Sequence, residues 1–176
     1  MNQYEYARDK RTDAEYEHQF RSGTHNQDII LDAYIAEKVH CFGEDWNWED
    51  NPDKAFTKGS FGPYRPDCYL IHNSIKIPCE VKVQLAPLRK FVYVKDYQVD
   101  RLVSIGGVVF YSTPTKYFIM TAELWQTMEH VDTSPLQTPA YRIPVNEIQW
   151  KNWLYPPKGL RSYKLNGGYN GKVIHT

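Results

Sequence analysis

Asp67, Glu80 and Lys82 are the residues whose types and spacing best suit chemistry. They lie in one stretch, Tyr64 to Val83, which reads as a strand, a polar turn at His72-Asn73-Ser74, and a second strand carrying Glu80-Val81-Lys82. Successive strand side chains point to opposite faces, so Cys79, Val81 and Val83 can enter a core while Glu80 and Lys82 project together from the other face. Asp67 opens the partner strand, and antiparallel pairing brings it near Glu80. Two carboxylates held close are unfavourable unless a cation neutralises them, and Asp/Glu oxygens with waters are the ligands that Mg²⁺ takes. A lysine beside such a site can orient or deprotonate an attacking water and stabilise developing negative charge. The alternative for the same residues is a β-hairpin with a surface ion pair.

The elements that must position these groups follow from periodicity and punctuation. Met1 to Phe20 has little periodicity and reads as a frayed or loosely helical lead-in. A first clear helix follows Phe20-Arg21-Ser22-Gly23, where Thr24 and Gln27 fit an S/T-x-x-E/Q capping box. Leu31, Tyr34, Ile35, Lys38 and Val39 then recur at helical spacing. Asp28 sits at the margin of that face, either as a partner of the helix dipole or as a site residue. Cys41 to Gly62 is polar and aromatic. Its first residues read as strand and the remainder as loop, with Glu44, Asp45, Glu49, Asp50 and Asp53 as a solvated acidic face. Lys58-Gly59-Ser60-Phe61-Gly62 is either a plain glycine loop or a phosphate contact through Lys58 and backbone N–H groups. Beyond Lys82 come Arg89-Lys90, the run Phe91 to Val94, and a helix over Asp96–Ile105 packing Tyr97, Val99, Leu102 and Val103 and ended by Gly106-Gly107. A hairpin of Val108–Ser112 and Lys116–Met120 and a helix over Ala122–His130 capped by Thr121 follow.

With 176 residues the chain suits one domain with a real core. Formal net charge is zero, yet residues 1–53 balance to −8, residues 54–132 to +3 and residues 133–176 to +5. A basic segment can contact phosphate whatever the total. Three cysteines without C-x-x-C spacing imply neither a disulfide framework nor a zinc site, and favour a reducing compartment. A polar N-terminus and the lack of a long apolar run give the expectation of a soluble, cytoplasmic protein without membrane contact. There is no P-loop or G-x-S-x-G, and the six histidines fall in no ligand spacing. Residues 133–176 interleave basic and aromatic side chains, which either grip phosphates and bases or form an arm packing Trp150 and Trp153 on its own domain or a partner subunit.

Pro66-Asp67, a gap of hairpin length, and Glu80-Val81-Lys82 resemble the PD-(D/E)xK nuclease signature. Phe20-Arg21-Ser22-Gly23 ahead of a helix is similar to the approach to the first helix in phage junction-resolving endonucleases. Tyr93 to Leu102, the Gly106-Gly107 pair, an apolar strand, and Tyr117-Phe118-Ile119 before a threonine-capped helix resemble archaeal Holliday junction resolvases over residues 20–130. The resemblance implies an α/β, restriction-endonuclease-like fold with a mixed central β-sheet flanked by helices. It implies a nuclease domain at 20–132, and the polar lead-in at 1–19 and the basic aromatic extension at 133–176 lie outside it. The implied activity is hydrolysis of DNA phosphodiester bonds, structure-selective as in a junction resolvase, with Mg²⁺ as cofactor and Mn²⁺ as its substitute. Asp67, Glu80 and the Val81 carbonyl would hold the metal, Lys82 would position the water, and Asp28 would reach a second metal through water. Lys58, Arg89 and Lys90 would contact DNA, branched DNA included. A resolvase would be a homodimer, since two symmetric cuts need two sites at fixed spacing. The alternatives are a non-catalytic nucleic-acid- or protein-binding module on the same fold, and a sequence-specific or repair nuclease.

Overall fold

In the computed structural model, which describes residues 12–53 and 65–162, a long helix, α1 (Asp13–Ala36), is capped by Thr12. The Thr12 hydroxyl accepts from the Glu15 amide at 3.2 Å, and the Glu15 carboxylate accepts from the Thr12 amide at 2.7 Å. This reciprocal box satisfies two of the amides that a helix start leaves without partners. The helix therefore begins well before the expected Thr24, which lies inside it, and Gln27 is no capping residue. Sequence periodicity starts late because the first turns bury little and need no apolar stripe. A π-helical turn, Glu37–Cys41, ends the element.

Strand β1 (Trp46–Asp50) forms where a loop was expected, and the residues just after Cys41 are not strand. Much of the acidic run is engaged rather than merely solvated. Glu49 pairs with Lys76, Asp50 accepts from Gln27, and Glu44 accepts from the Trp46 indole at 2.8 Å. The glycine loop with Lys58 lies outside the described residues. Strands β2 (Cys68–His72) and β3 (Ile75–Val83) make the expected hairpin, Cys68 opposite Cys79 and His72 opposite Ile75. Its two central residues, Asn73 and Ser74, have φ of 48° and 66°. That is the turn whose twist matches paired strands.

After β4 (Phe91–Lys95) and helix α2 (Asp96–Ser104), strands β5 (Val108–Ser112) and β6 (Lys116–Met120) form a second hairpin as expected. The following helix, α3 (Ala122–Trp125), stops short of the expected His130. Instead β7 (Glu129–Val131) pairs with β8 (Ala140–Pro144), the next strand in the chain, which no local pattern announces. A two-residue β9 (Lys151–Asn152) pairs with β6.

The main sheet has the order β1-β2-β3-β5-β6-β9, antiparallel throughout except for the parallel β3–β5 pair, and a smaller sheet has the order β4-β8-β7. This is the mixed α/β arrangement with flanking helices. Ile30, Leu31 and Tyr34 of α1 pack on one face against Leu70, Cys79, Phe110, Tyr117 and Trp153. Val99 and Leu102 of α2 pack on the other against Val109, Tyr111, Phe118 and Met120. Val103, expected in that core, points to solvent. The described part of the basic aromatic segment is built into the body: Ile143 and Ile148 join the second cluster, Trp153 the first, and Trp150 packs on Phe118. Among the described residues no helix is long and apolar enough to cross a membrane.

Gly107 lets α2 return closely to β3. A Cβ there would meet Leu102 Cδ2 at 2.6 Å and the Pro78 carbonyl at 2.9 Å. Backbone on one side and a packed leucine on the other leave little room to yield. Gly107→Ala is therefore expected to cost roughly 1–3 kcal/mol by overpacking, measured as a lower urea midpoint at unchanged slope.

Candidate active site

The β2–β3 ladder ends at Cys68 opposite Cys79, and the next pair in register is Asp67 and Glu80. Side chains alternate along both strands. Cys68, Leu70 and Cys79 belong to the α1-side core, so Asp67, Glu80 and Lys82 emerge on the α2 side. In place of the next ladder bond, Asp67 Oδ2 accepts from the Val81 amide at 3.0 Å. The amide and carbonyl of one strand residue share an edge, so the Val81 carbonyl lies on the edge that Asp67 occupies.

Glu80 is buried, at 5 % exposure, and its Oε1 accepts from Lys82 Nζ at 2.8 Å. Burial works against the Lys82 ammonium, but the charges of Glu80 and Asp67 and the hydrogen bond to Glu80 outweigh it and raise its pKa above the ordinary lysine value. Asp67 thus acts on the lysine through space as well as on the strand through its hydrogen bond. The three groups named from sequence share one small volume.

Two further residues shape it. Gln98 of α2 donates from Nε2 to the same Glu80 Oε1 at 2.7 Å, so two donors fix one carboxylate oxygen. Its own Oε1 is buried and has no hydrogen-bond partner among the described residues. An acceptor left open beside a carboxylate suits a water or substrate that arrives with a proton to donate. Gln98 precedes the buried Leu102 by four residues, and this spacing was the available signal that it lies on the packed face. Asn51 holds the approach to Asp67: its side-chain amide donates to the Pro66 carbonyl at 2.8 Å, and its backbone amide to the Asp67 carbonyl at 3.2 Å. An asparagine directly before Pro52 signals a turn, and here that turn steadies the aspartate.

Asp28 is half-buried on α1, which packs on the opposite face of the sheet. The helix nevertheless reaches the same end of the sheet, because Gln27 donates to Asp50 at 3.1 Å and Asp50 pairs with Cys68. Arg89 and Lys90 are exposed on the turn between β3 and β4. His72 is at the far end of the hairpin, stacked on Trp46 at 4.1 Å.

Among the described residues no group of three or more His, Cys, Asp or Glu side chains could hold a metal by itself. The oxygens of Asp67, Glu80 and the Val81 carbonyl are a hard donor set, and Mg²⁺ commonly takes one or two carboxylates and completes its shell with water. The residues present therefore fit such an ion.

No family model matches the chain, and no curated protein matches it. Among solved structures the chain is similar to Hjc, a Holliday junction resolvase from the archaeal hyperthermophile Archaeoglobus fulgidus, with 14 % identity, a TM-score of 0.45, and coverage of 71 % of this chain and 85 % of that one.

Proposed function

We propose that the protein is an endonuclease that hydrolyses DNA phosphodiester bonds with a divalent metal ion. The observation that carries this reading is the convergence of Asp67, Glu80 and Lys82, with Glu80 buried and held by two donors. Asp67, Glu80 and the Val81 carbonyl would hold Mg²⁺, or Mn²⁺ in its place. When bound, that ion supplies a polarised phosphate and a more acidic water. Lys82, kept as an ammonium, orients the attacking water and offsets charge that builds on the phosphate oxygens. Gln98 keeps the Glu80 carboxylate in one orientation. Asp28 acts through water rather than by direct coordination. Arg89 and Lys90 meet the phosphate backbone beyond the cut, and Lys58 is assigned the same part from sequence.

Junction selectivity follows from the resemblance in the order of elements, and with it a homodimer. The test is cleavage of a panel of four-way, flapped, nicked and plain duplex DNAs with and without Mg²⁺. Asp67→Asn is expected to remove Mg²⁺-stimulated cleavage, whereas Asp28→Asn, one water removed, is expected to cost about 10–100-fold. Full activity in Asp67→Asn, or cleavage indifferent to Mg²⁺, would overturn the mechanism. A monomer at micromolar concentration would point to a nicking or repair enzyme instead.

A further inference from the structure

A second binding feature lies on the same face of the sheet, at the edge away from Asp67. It is an open cavity of about 510 Å³, walled by Arg89, Lys90 and Lys116 and floored by Val145, Ile148 and Trp150. Three cations line it and no carboxylate does. Among the described residues none of the three forms an ion pair, and two rest on aromatic rings instead. Lys116 Nζ lies 4.7 Å from the Trp150 ring and Lys90 Nζ 5.3 Å from the Phe91 ring. The basic turn and the apolar floor are tied together by the Val145 amide, which donates to the Lys90 carbonyl at 3.0 Å.

The cavity lies on the same face of the sheet as the candidate active site, with the buried Tyr111 and Phe118 between them. Lys82 on β3 is in register with Tyr111 on β5, and Tyr111 with Phe118 on β6. Tyr111 and Phe118 both pack on Trp150, at 6.3 and 4.9 Å between ring centres, and Lys116 sits two residues before Phe118 on the same face. Two strand spacings separate β3 from β6, so the cavity is about 10 Å from Lys82 across the sheet.

We infer that this cavity receives a nucleotide of an unpaired DNA strand leaving the active site, its phosphates on Arg89, Lys90 and Lys116 and its base or sugar on the Val145–Ile148–Trp150 floor. Charge without counter-charge selects an anion, and the apolar floor selects one with an apolar face. The volume falls in the range of sites that enclose small ligands. A paired strand keeps its bases stacked inside the duplex and can offer the cations its phosphates but nothing to the floor. The inference rests on the reading of the protein as one that acts on DNA. It narrows the substrate to DNA with a single-stranded segment next to the cut.

The experiment is equilibrium binding of the full chain, in EDTA to prevent cleavage. The probes are a fluorescein-labelled oligothymidylate of about twelve nucleotides, within the usual span of single-strand sites, and a blunt duplex of equal length. The strand should bind more tightly than the duplex. Lys90→Gln/Lys116→Gln should weaken strand binding about tenfold and lower the dependence of log affinity on log salt by about 1.4, at 0.7 per phosphate contact. Lys116→Arg should retain the affinity. Equal or tighter binding of the duplex by the wild type overturns the proposal whatever the variants do, and so does an unchanged affinity and salt slope in a folded double variant. Strand binding of this kind by a chain that cleaves no DNA with Mg²⁺ supports the cavity and overturns hydrolysis, so the two readings fail separately.

Discussion

Glu80→Gln is expected to leave the protein folded and to lower Mg²⁺-stimulated DNA cleavage by about 10²–10³-fold, the scale seen when a charge-stabilising group is removed from an active site. The glutamine keeps the volume and the hydrogen bonds that Lys82 and Gln98 can make. What it removes is one negative charge, the property a divalent ion needs and a hydrogen-bond network does not. Lys82→Met should show a loss of similar order for the complementary reason: Asp67 and Glu80 remain, but the ammonium that faces the attacking water is gone. Each single change also strands a charge, since one leaves an ammonium without its buried charged partner and the other a buried carboxylate hydrogen-bonded to Gln98 but without the ammonium that offsets it. The double variant Glu80→Gln/Lys82→Met should therefore regain stability relative to the sum of the singles while regaining no activity. Coupling in stability without coupling in recovered turnover is the signature sought, read by urea titration beside the cleavage assay. A single variant with near-normal cleavage would remove the pair from the chemistry and return it to the hairpin ion pair that the sequence also allows.

The largest stability effect is expected at Phe110. Its ring is fully buried, stacked on Tyr117 at 5.3 Å, edge-on to Tyr34 at 5.0 Å, and close to Trp153 at 6.3 Å. These partners come from β6, from α1 and from the segment after β9, so the ring joins three parts of the chain far apart in sequence. Phe110→Ala is expected to cost roughly 3–5 kcal/mol, because the rigid rings around it cannot close the space they would be left with. Phe110 is also in register with Val81. A slackened strand there should disturb the edge on which the Val81 amide meets Asp67, so residual activity should fall before unfolding sets in. A loss below about 1 kcal/mol would mean that the core collapses around the gap and that the cluster does not hold the sheet as described.

The sequence showed the hairpins most plainly. Two apolar-rich runs joined by a short polar turn, at His72-Asn73-Ser74 and at Thr113-Pro114-Thr115, are a local signal, and a two-residue turn leaves one register, which decides which side chains share a face. Asp67, Glu80 and Lys82 could be placed together for that reason alone. Helix α2 was equally plain, being short, amphipathic and closed by two glycines. What escaped depended on partners outside the local pattern. Glu129–Val131 continues a helical pattern locally, yet β8 takes it as strand, and the pairing of β4 with β8 joins segments about fifty residues apart. Gln98 was hidden differently: a glutamine on a helix reads as surface until something opposite it is known to need a donor. The start of α1 was missed because its first turns are held by a cap rather than by burial, although Thr12 and Glu15 stand at the required spacing.

Among the described residues strand β1 is the outermost strand of the main sheet. An edge strand invites the same edge of another molecule to zip onto it, and natural sheets discourage that with charge. Glu44, Asp45, Glu49 and Asp50 lie on or just before this strand. Two molecules approaching border to border would bring like charges together, and they would repel. The negative stretch that suits a phosphate backbone so poorly thus has a use as a guard against sheet-to-sheet aggregation, and any assembly of two copies would have to form on another side of the molecule.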